Sequence, residues 1–309
     1  MRKILFINKG DNIDYQCDCL FHGLQSLDDV YVEVINDNWF MYKGNSSEKL
    51  HKLYGKGFSI TNRIPIEKKH VIDKEEAALK IKSHDYDYVI FGSIYRYNEL
   101  YNEVISNYKR TEVAFIDGED CDYTTTFSIK GLYHIPRDTK WKKQAKEIAS
   151  HGVYFKRERT KQTKNMFLPI SFAIPEENIV SNIPKKDIEQ AYVYPDRKET
   201  YIYDNEPDYF KGYQEAKFGV TFKKAGWDCL RHYEILANGC IPYFPDILNC
   251  PKDTMVNFPK NIINETNQLR DSGRMSDSLY DYYLRYLLEY TRKYLTTKEL
   301  AKYVLSCLD

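Results

Sequence analysis

No stretch of this 309-residue chain approaches the ~20 consecutive apolar residues that a membrane-spanning helix needs. The apolar start Ile4-Leu5-Phe6-Ile7 turns polar at Asn8, too soon for a secretory signal peptide. A soluble, cytoplasmic protein is therefore expected, with peripheral attachment at a membrane left open. An excess of either charge is also missing: Lys plus Arg and Asp plus Glu each number 45, so there is no strong general signal for nucleic-acid binding. Cysteine is sparse. Seven of them, an odd number without regular spacing, fit reduced thiols rather than a disulfide framework. Cys17-Asp18-Cys19 stands too isolated for a structural zinc, which needs four ligands. Internal repeats and low-complexity tracts are absent. So is the G-x-G-x-x-G turn of dinucleotide-binding enzymes, since Gly10 follows the first apolar run alone, and a nicotinamide or flavin dehydrogenase is excluded.

What is present is 42% hydrophobic residues over a length that suits about two domains. Residues 1–174 alternate strand and helix patterns. Lys3–Asn8 reads as a buried strand, Tyr15–Leu27 as a helix, and Val30–Ile35, Tyr86–Phe91, Glu112–Ile116 and Gly152–Arg157 as further strands. Pro175–Lys186 is polar, contains Pro184 and reads as the linker. A second domain, 187–309, follows, with candidate strands at Gln190–Tyr194 and Thr200–Tyr203 and a helix at Asp208–Ala216. It closes on an amphipathic helix over Asp277–Leu295 and a last helix capped by Thr296 with Glu299. Trp141–Lys146 and Lys156–Lys161 are the most basic stretches, read as solvated faces because glutamates accompany them.

The most informative stretch is Phe218–Phe244. An apolar strand Phe218–Phe222 leads through Lys223-Lys224-Ala225-Gly226 to a helix that Asp228 can cap, Gly239 closes it, and Ile241–Phe244 is a second strand. On that helix Cys229, Tyr233, Leu236 and Ala237 form a buried stripe, whereas Arg231, Glu234 and Asn238 fall three and four apart on another side. A helix start carries unpaired N–H groups and partial positive charge, so one preceded by two lysines and a glycine suits a phosphate or diphosphate. Glu234 lies where a ribose on that diphosphate would be gripped through its hydroxyls. The plain alternative is a surface ion pair between Arg231 and Glu234, with Gly239 an ordinary helix end.

Arg231–Pro242 resembles the Glu-x-x-Ala-x-Gly-x-Pro signature of the donor-binding domain of GT-B-fold glycosyltransferases, with Glu234, Ala237, Gly239 and Pro242 on the motif. The resemblance covers about 30 residues. It implies two Rossmann-like α/β domains facing a cleft, with C-terminal helices crossing back to the first. It also implies a sugar transferred from a nucleoside diphosphate donor to an acceptor hydroxyl, with Glu234 on the ribose and Arg231 and Lys223 or Lys224 on the diphosphate. Gly226 and Asn238 complete the candidate donor site. The acceptor is a glycan, lipid, protein or modified base. The retaining branch of the family often carries a further glutamate eight positions before the ribose one; Gly226 stands there, which leaves the stereochemical outcome open, and also which group meets the sugar.

The first domain is expected to hold the acceptor. In GT-B enzymes the loop after the first strand faces the cleft, so the resemblance implies Lys9, Gly10 and Asp11 near substrate; ligands of open α/β sheets gather at the C-terminal ends of strands, which adds Ser93 and Arg96 after another strand and Arg157 after the last. His22 is a weaker candidate. The acidic loop Asp117-Gly-Glu-Asp-Cys-Asp122 offers a general base, with Asp117 first choice because it immediately follows its strand. The same loop supports a rival, since Asp120-Cys-Asp122 has the Asp-x-Asp spacing that suits Mg²⁺ or Mn²⁺ in another class of sugar-nucleotide enzyme. No metal or cofactor is required on the first reading, because cationic side chains and a helix start offset the diphosphate charge. A nucleotide- or glycan-binding protein without catalysis is the third alternative. The tyrosine-rich, glycine-punctuated stretch Trp39–Ile66 is either an acceptor-binding excursion or a long loop.

Overall fold

The computed structural model describes residues 1–122, 126–129, 133–136, 139–161 and 163–309. The chain opens with β1 (Arg2–Ile7), α1 (Tyr15–Gln25) and β2 (Val30–Val34), as the alternation of apolar runs and a 3.6-residue stripe predicts. It continues through α2 (Ser47–Leu50), α3 (Lys74–Lys82), β3 (Tyr88–Phe91), α4 (Tyr101–Asn107), β4 (Val113–Asp117), the antiparallel pair β5 (Thr126–Ile129) and β6 (Tyr133–Pro136), α5 (Thr139–His151), β7 (Val153–Lys156) and β8 (Leu168–Pro169). The strands β2-β1-β3-β4-β7-β8 make one parallel six-stranded sheet. Its strands are near-continuous runs of Val, Ile, Leu and Phe because both faces are covered.

A smaller parallel sheet follows, in the order β11-β10-β9, built from β9 (Ile188–Gln190), α6 (Glu206–Gln214), β10 (Ala216–Val220), α7 (Leu230–Ala237) and β11 (Ile241–Tyr243). The β-α-β unit read from the sequence is there, with Phe218 opposite Ile241 in register. Thr200–Tyr203 is not a strand. Its Thr200 hydroxyl donates to the carbonyls of Tyr194 and Arg197 and closes a turn, leaving Tyr201 and Ile202 about half exposed.

After α8 (Lys260–Asp271), the long α9 (Asp277–Tyr294) and α10 (Thr297–Ser306) end the chain. Thr296 caps α10 by accepting from the Glu299 amide, one half of the expected reciprocal pair; the Glu299 carboxylate goes to Lys302 instead. The last helix returns to the first half and lies on α1. Gly23 makes this possible, because a Cβ there would sit 1.9 Å from the Thr297 carbonyl oxygen. His22, a weak site candidate, is spent in the same contact between Thr297 Oγ1 at 2.8 Å and Glu177 Oε1 at 3.1 Å. The main core consequently runs through both halves, from Ile4 and Phe6 to Phe218 and Ile241.

Candidate functional site between the two sheets

The C-terminal ends of β1 and β4 in one half and of β10 in the other point at a cleft of about 960 Å³. One wall is the turn between β10 and α7. Thr221 Oγ1 lies 2.8 Å from His232 Nδ1, and His232 Nε2 is 2.9 Å from the Trp227 carbonyl, so a buried neutral imidazole braces this turn from beneath. Burial pushes the His232 pKa down to about 3.

Asp228 does not cap α7 as expected. Its carboxylate turns toward the first half, accepting from the Phe172 amide at 2.8 Å and the Tyr233 hydroxyl at 3.0 Å. Burial raises its pKa to about 6, against the opposing pull of Arg157. Cys229 takes the cap position without a side-chain cap hydrogen bond, and the start of α7 faces the cleft.

Around that helix start stand Lys224, Arg231 and Glu234, all lining the cleft. Lys224 Nζ is 3.1 Å from the Pro195 carbonyl. Arg231 Nη2 donates to Tyr201 Oη at 2.9 Å, while its buried Nε finds no protein acceptor. Glu234 is buried yet forms part of the cleft wall, and the two sides of the molecule meet on its carboxylate. Ser59 Oγ donates to Oε1, and Tyr209 Oη donates to Oε2 at 2.6 Å. Burial holds its pKa above the usual carboxylate value, although these two bonds and Arg231 pull the other way.

Two other candidates on this unit lie elsewhere. Lys223 does not line the cleft; its ammonium stands 5.4 Å from the centre of the Trp227 ring. Asn238 is fully buried at the end of α7, donating to the Glu234 carbonyl at 2.9 Å and accepting from Gln214 at 2.9 Å, so it closes the helix rather than reading a ligand.

The opposite wall centres on Arg157. Although the basic stretch Lys156–Lys161 reads as a solvated face, Lys156, Arg157 and Glu158 are all buried. The Arg157 guanidinium donates to the Gly118 carbonyl at 2.7 and 3.0 Å, to the Asp228 carbonyl at 2.7 Å, to Glu158 Oε1 at 3.2 Å and to Asp120, and it lies over the Phe172 ring. One arginine thus ties the acidic loop of the first half to the helix start of the second. Gly226 permits this closeness: a Cβ there would fall 2.6 Å from Glu158 Oε1 and 2.8 Å from Asp120 Oδ1.

Asp117, the first choice for a base, requires correction. It is 1% exposed and does not line the cleft. Its carboxylate is held by Lys156 Nζ at 3.0 Å, the Tyr154 hydroxyl at 2.7 Å and the Glu119 amide at 3.1 Å. A base must reach the proton it removes, and Asp117 is walled off from any ligand in the cleft. Asp120, three residues on, faces the cleft with its side chain half exposed. Among the described residues no group of three or more His, Cys, Asp or Glu is placed to hold a metal ion.

The remaining first-half candidates divide. Arg96 lines the cleft, paired with Asp14 at 3.2 Å and Glu119 at 2.9 Å. Ser93 is buried and does not line the cleft. Lys9 and Asp11 form an exposed pair with each other at 2.8 Å, and Gly10 is held at φ +72° against Asn36; the wall is made instead by the next four residues, Asn12–Tyr15. The loop after β1 does reach the cleft, but through Asn12–Tyr15 rather than through Lys9–Asp11.

Sequence reasoning missed Tyr15, Tyr201, Tyr203 and Tyr209, which line the cleft, and the segment Tyr54–Phe58, which crosses to it from the first half. Only the tyrosine richness of 39–66 signalled the last of these.

No sequence-family model and no characterised protein sequence matches the chain. The structure does match solved ones. Anabaena HepE in complex with UDP-glucose superposes with a TM-score of 0.52 at 7% identity, over 100% of this chain and 99% of that one. The same protein in complex with UDP and glucose gives 0.50 at 8% identity, again over 100% and 99%. The expected GT-B architecture is the fold observed: parallel α/β halves facing a cleft, with terminal helices returning to the first half.

Proposed function

We propose that the protein transfers a sugar from a nucleoside diphosphate donor to an acceptor hydroxyl in this cleft. The observation that carries the reading is the convergence on one cleft wall of an uncapped helix start, Lys224, Arg231 and Glu234, facing a carboxylate and an arginine from the other half. The helix start and the two cations meet the diphosphate, whose negative charge grows as it leaves. Arg231 Nε, the buried donor without a protein acceptor, is suited to one of its oxygens. Glu234 accepts from the ribose hydroxyls, matching the Glu-x-x-Ala-x-Gly-x-Pro resemblance.

Asp120 replaces Asp117 as the base. It takes the proton of the acceptor hydroxyl as that oxygen bonds to the anomeric carbon, while the bond from that carbon to the diphosphate breaks and the diphosphate departs with the electron pair. Asp14 and Arg96, which line the cleft from the first half, are the groups offered to the acceptor. The likeness to HepE, seen with UDP-glucose, makes UDP and UDP-sugars the first ligands to offer.

The test is a thermal-shift screen against UDP, GDP and ADP and their sugar conjugates, followed by turnover of the sugar nucleotide that binds. A ligand at 100 times its dissociation constant stabilises by about 2.7 kcal/mol. One family of nucleotide should raise the melting temperature and Glu234→Ala should remove that rise. Binding without hydrolysis or transfer from any conjugate would leave a nucleotide-binding protein, not an enzyme.

A further inference from the structure

The segment Tyr54–Arg63 belongs to the first half by sequence, yet several of its hydrogen bonds cross to the second. Lys56 Nζ donates to the Tyr203 carbonyl at 2.8 Å and to Asp204 at 2.7 Å. The Ser59 amide donates to Glu206 at 2.6 Å, Arg63 pairs with the same carboxylate, and the Phe58 ring stacks on Tyr209 at 5.4 Å. Asn178 holds the Ser59 carbonyl at 2.8 Å. At the middle of the strap a fully buried hydroxyl, Ser59 Oγ, is lodged on Oε1 of Glu234.

Its backbone is strained to do so. Lys56, Ser59 and Asn62 carry φ of +56°, +74° and +56°, a region that side chains other than glycine rarely adopt, alongside Gly55 and Gly57 at positive φ. Such a cluster persists only where surrounding contacts hold it. Here Lys56 is held from the second half by Asp204, and Ser59 by Glu206 and Glu234, while Asn62 is held within the first half by Asn45 and the Phe40 carbonyl.

On the donor reading above, Glu234 is wanted by a ribose. Its two oxygens are met by two hydroxyls, Ser59 on one side and Tyr209 on the other. Two hydroxyls on adjacent carbons of a ribose offer the same pair of donors. We propose that Ser59 is an affinity-determining residue of the donor site, an internal stand-in for a ribose hydroxyl that the nucleotide must displace. Displacement releases the strained strap, and Tyr54 and Lys56, which line the cleft, move with it. The acceptor half thereby senses occupancy of the donor half, and donor binding costs the free energy of the contacts that the strap gives up.

The experiment is calorimetric titration of UDP into wild type, Ser59→Ala, Ser59→Gly, Glu206→Gln and Glu234→Ala, with amide hydrogen exchange over residues 56–62. Both Ser59 variants remove the competing hydroxyl and should bind UDP about tenfold more tightly. Glu206→Gln loosens the strap and should tighten binding several-fold. In the wild type, UDP should speed exchange of the Ser59 amide. Unchanged or weaker UDP binding by both Ser59 variants, with their melting temperatures retained, overturns the proposal, as does slower exchange of the strap on adding UDP. If wild type still binds better than Glu234→Ala in that case, only the role of Ser59 falls. If Glu234→Ala binds UDP as tightly as wild type, the ribose contact falls and Ser59 with it.

Discussion

Asp120 and Gly226 come from opposite halves of the molecule, and a Cβ on Gly226 would lie 2.8 Å from the Asp120 carboxylate oxygen. The acid of one half and the turn before the helix start of the other are therefore packed with no room for a side chain between them. Gly226 has a backbone that other residues tolerate, so its value is space rather than flexibility.

Gly226→Ala should consequently disturb the site more than the fold. The added methyl meets Glu158 and Asp120, both bound to Arg157, and at least one must shift. A loss of about 1–3 kcal/mol is expected from denaturant unfolding, as for other overpacked positions. Sugar transfer should fall at least about tenfold, since misplacing a reacting group by an ångström costs that and more.

Asp117 and Asp120 should separate cleanly when each is made asparagine. Asp120→Asn is expected to lower turnover about 100-fold or more with UDP affinity within a few-fold of wild type. Asp117→Asn leaves the buried Lys156 without the carboxylate on which it rests, and it should destabilise by about 3–5 kcal/mol. Steady-state kinetics and chemical denaturation measure the two effects, and the reverse pattern would restore Asp117 as the base.

Glu234→Ala should weaken UDP binding about 10- to 100-fold, corresponding to the roughly 1.5–3 kcal/mol of hydrogen bonding to a charged group. It also strands the Ser59 and Tyr209 hydroxyls, so Glu234→Gln is the companion variant. Affinity by calorimetry equal to wild type in both would remove the ribose contact.

Asp228 and His232 should make opposite contributions to acid stability. Asp228 has its pKa raised to about 6, so it adds stability below its ordinary value near 4 and loses it as pH rises through 6. His232 has its pKa lowered to about 3, so it adds stability above its ordinary value near 6.5 and loses it as pH falls toward 3. Between about pH 4 and 6 the two slopes cancel. Asp228→Asn removes one of them, and wild-type stability relative to that variant should fall by roughly 2 kcal/mol from pH 4 to pH 6. Urea unfolding of both proteins across that range is the measurement, and a pH-independent difference would show that Asp228 is ionised throughout.

The elements legible in the sequence are those whose cause is local. The strands β1, β3 and β4 are continuous apolar runs, α9 repeats its buried residues every three or four positions, and Gly239 ends α7 at φ +61°. The β-α-β unit at 216–243 combines three such signals in 28 residues. Thr200–Tyr203 failed because its β-prone composition was outweighed by one hydroxyl that closes a turn, a choice that depends on Tyr194 and Arg197 already lying within reach.

Within the site, the sequence by itself determined the helix that carries Arg231 and Glu234 and the acidic loop that carries Asp120, because both follow from spacing along one element. It could not decide that Asp117 is sealed by Lys156 while Asp120 looks outward, that Asp228 turns from its helix to Phe172, or that Ser59 reaches Glu234 from 175 residues away. Those relations join groups remote in the chain, and each is settled by which buried charge or polar atom lacks a nearer partner once the two sheets are brought face to face. Burial makes an unsatisfied polar group costly, and only the tertiary structure determines which groups are buried together.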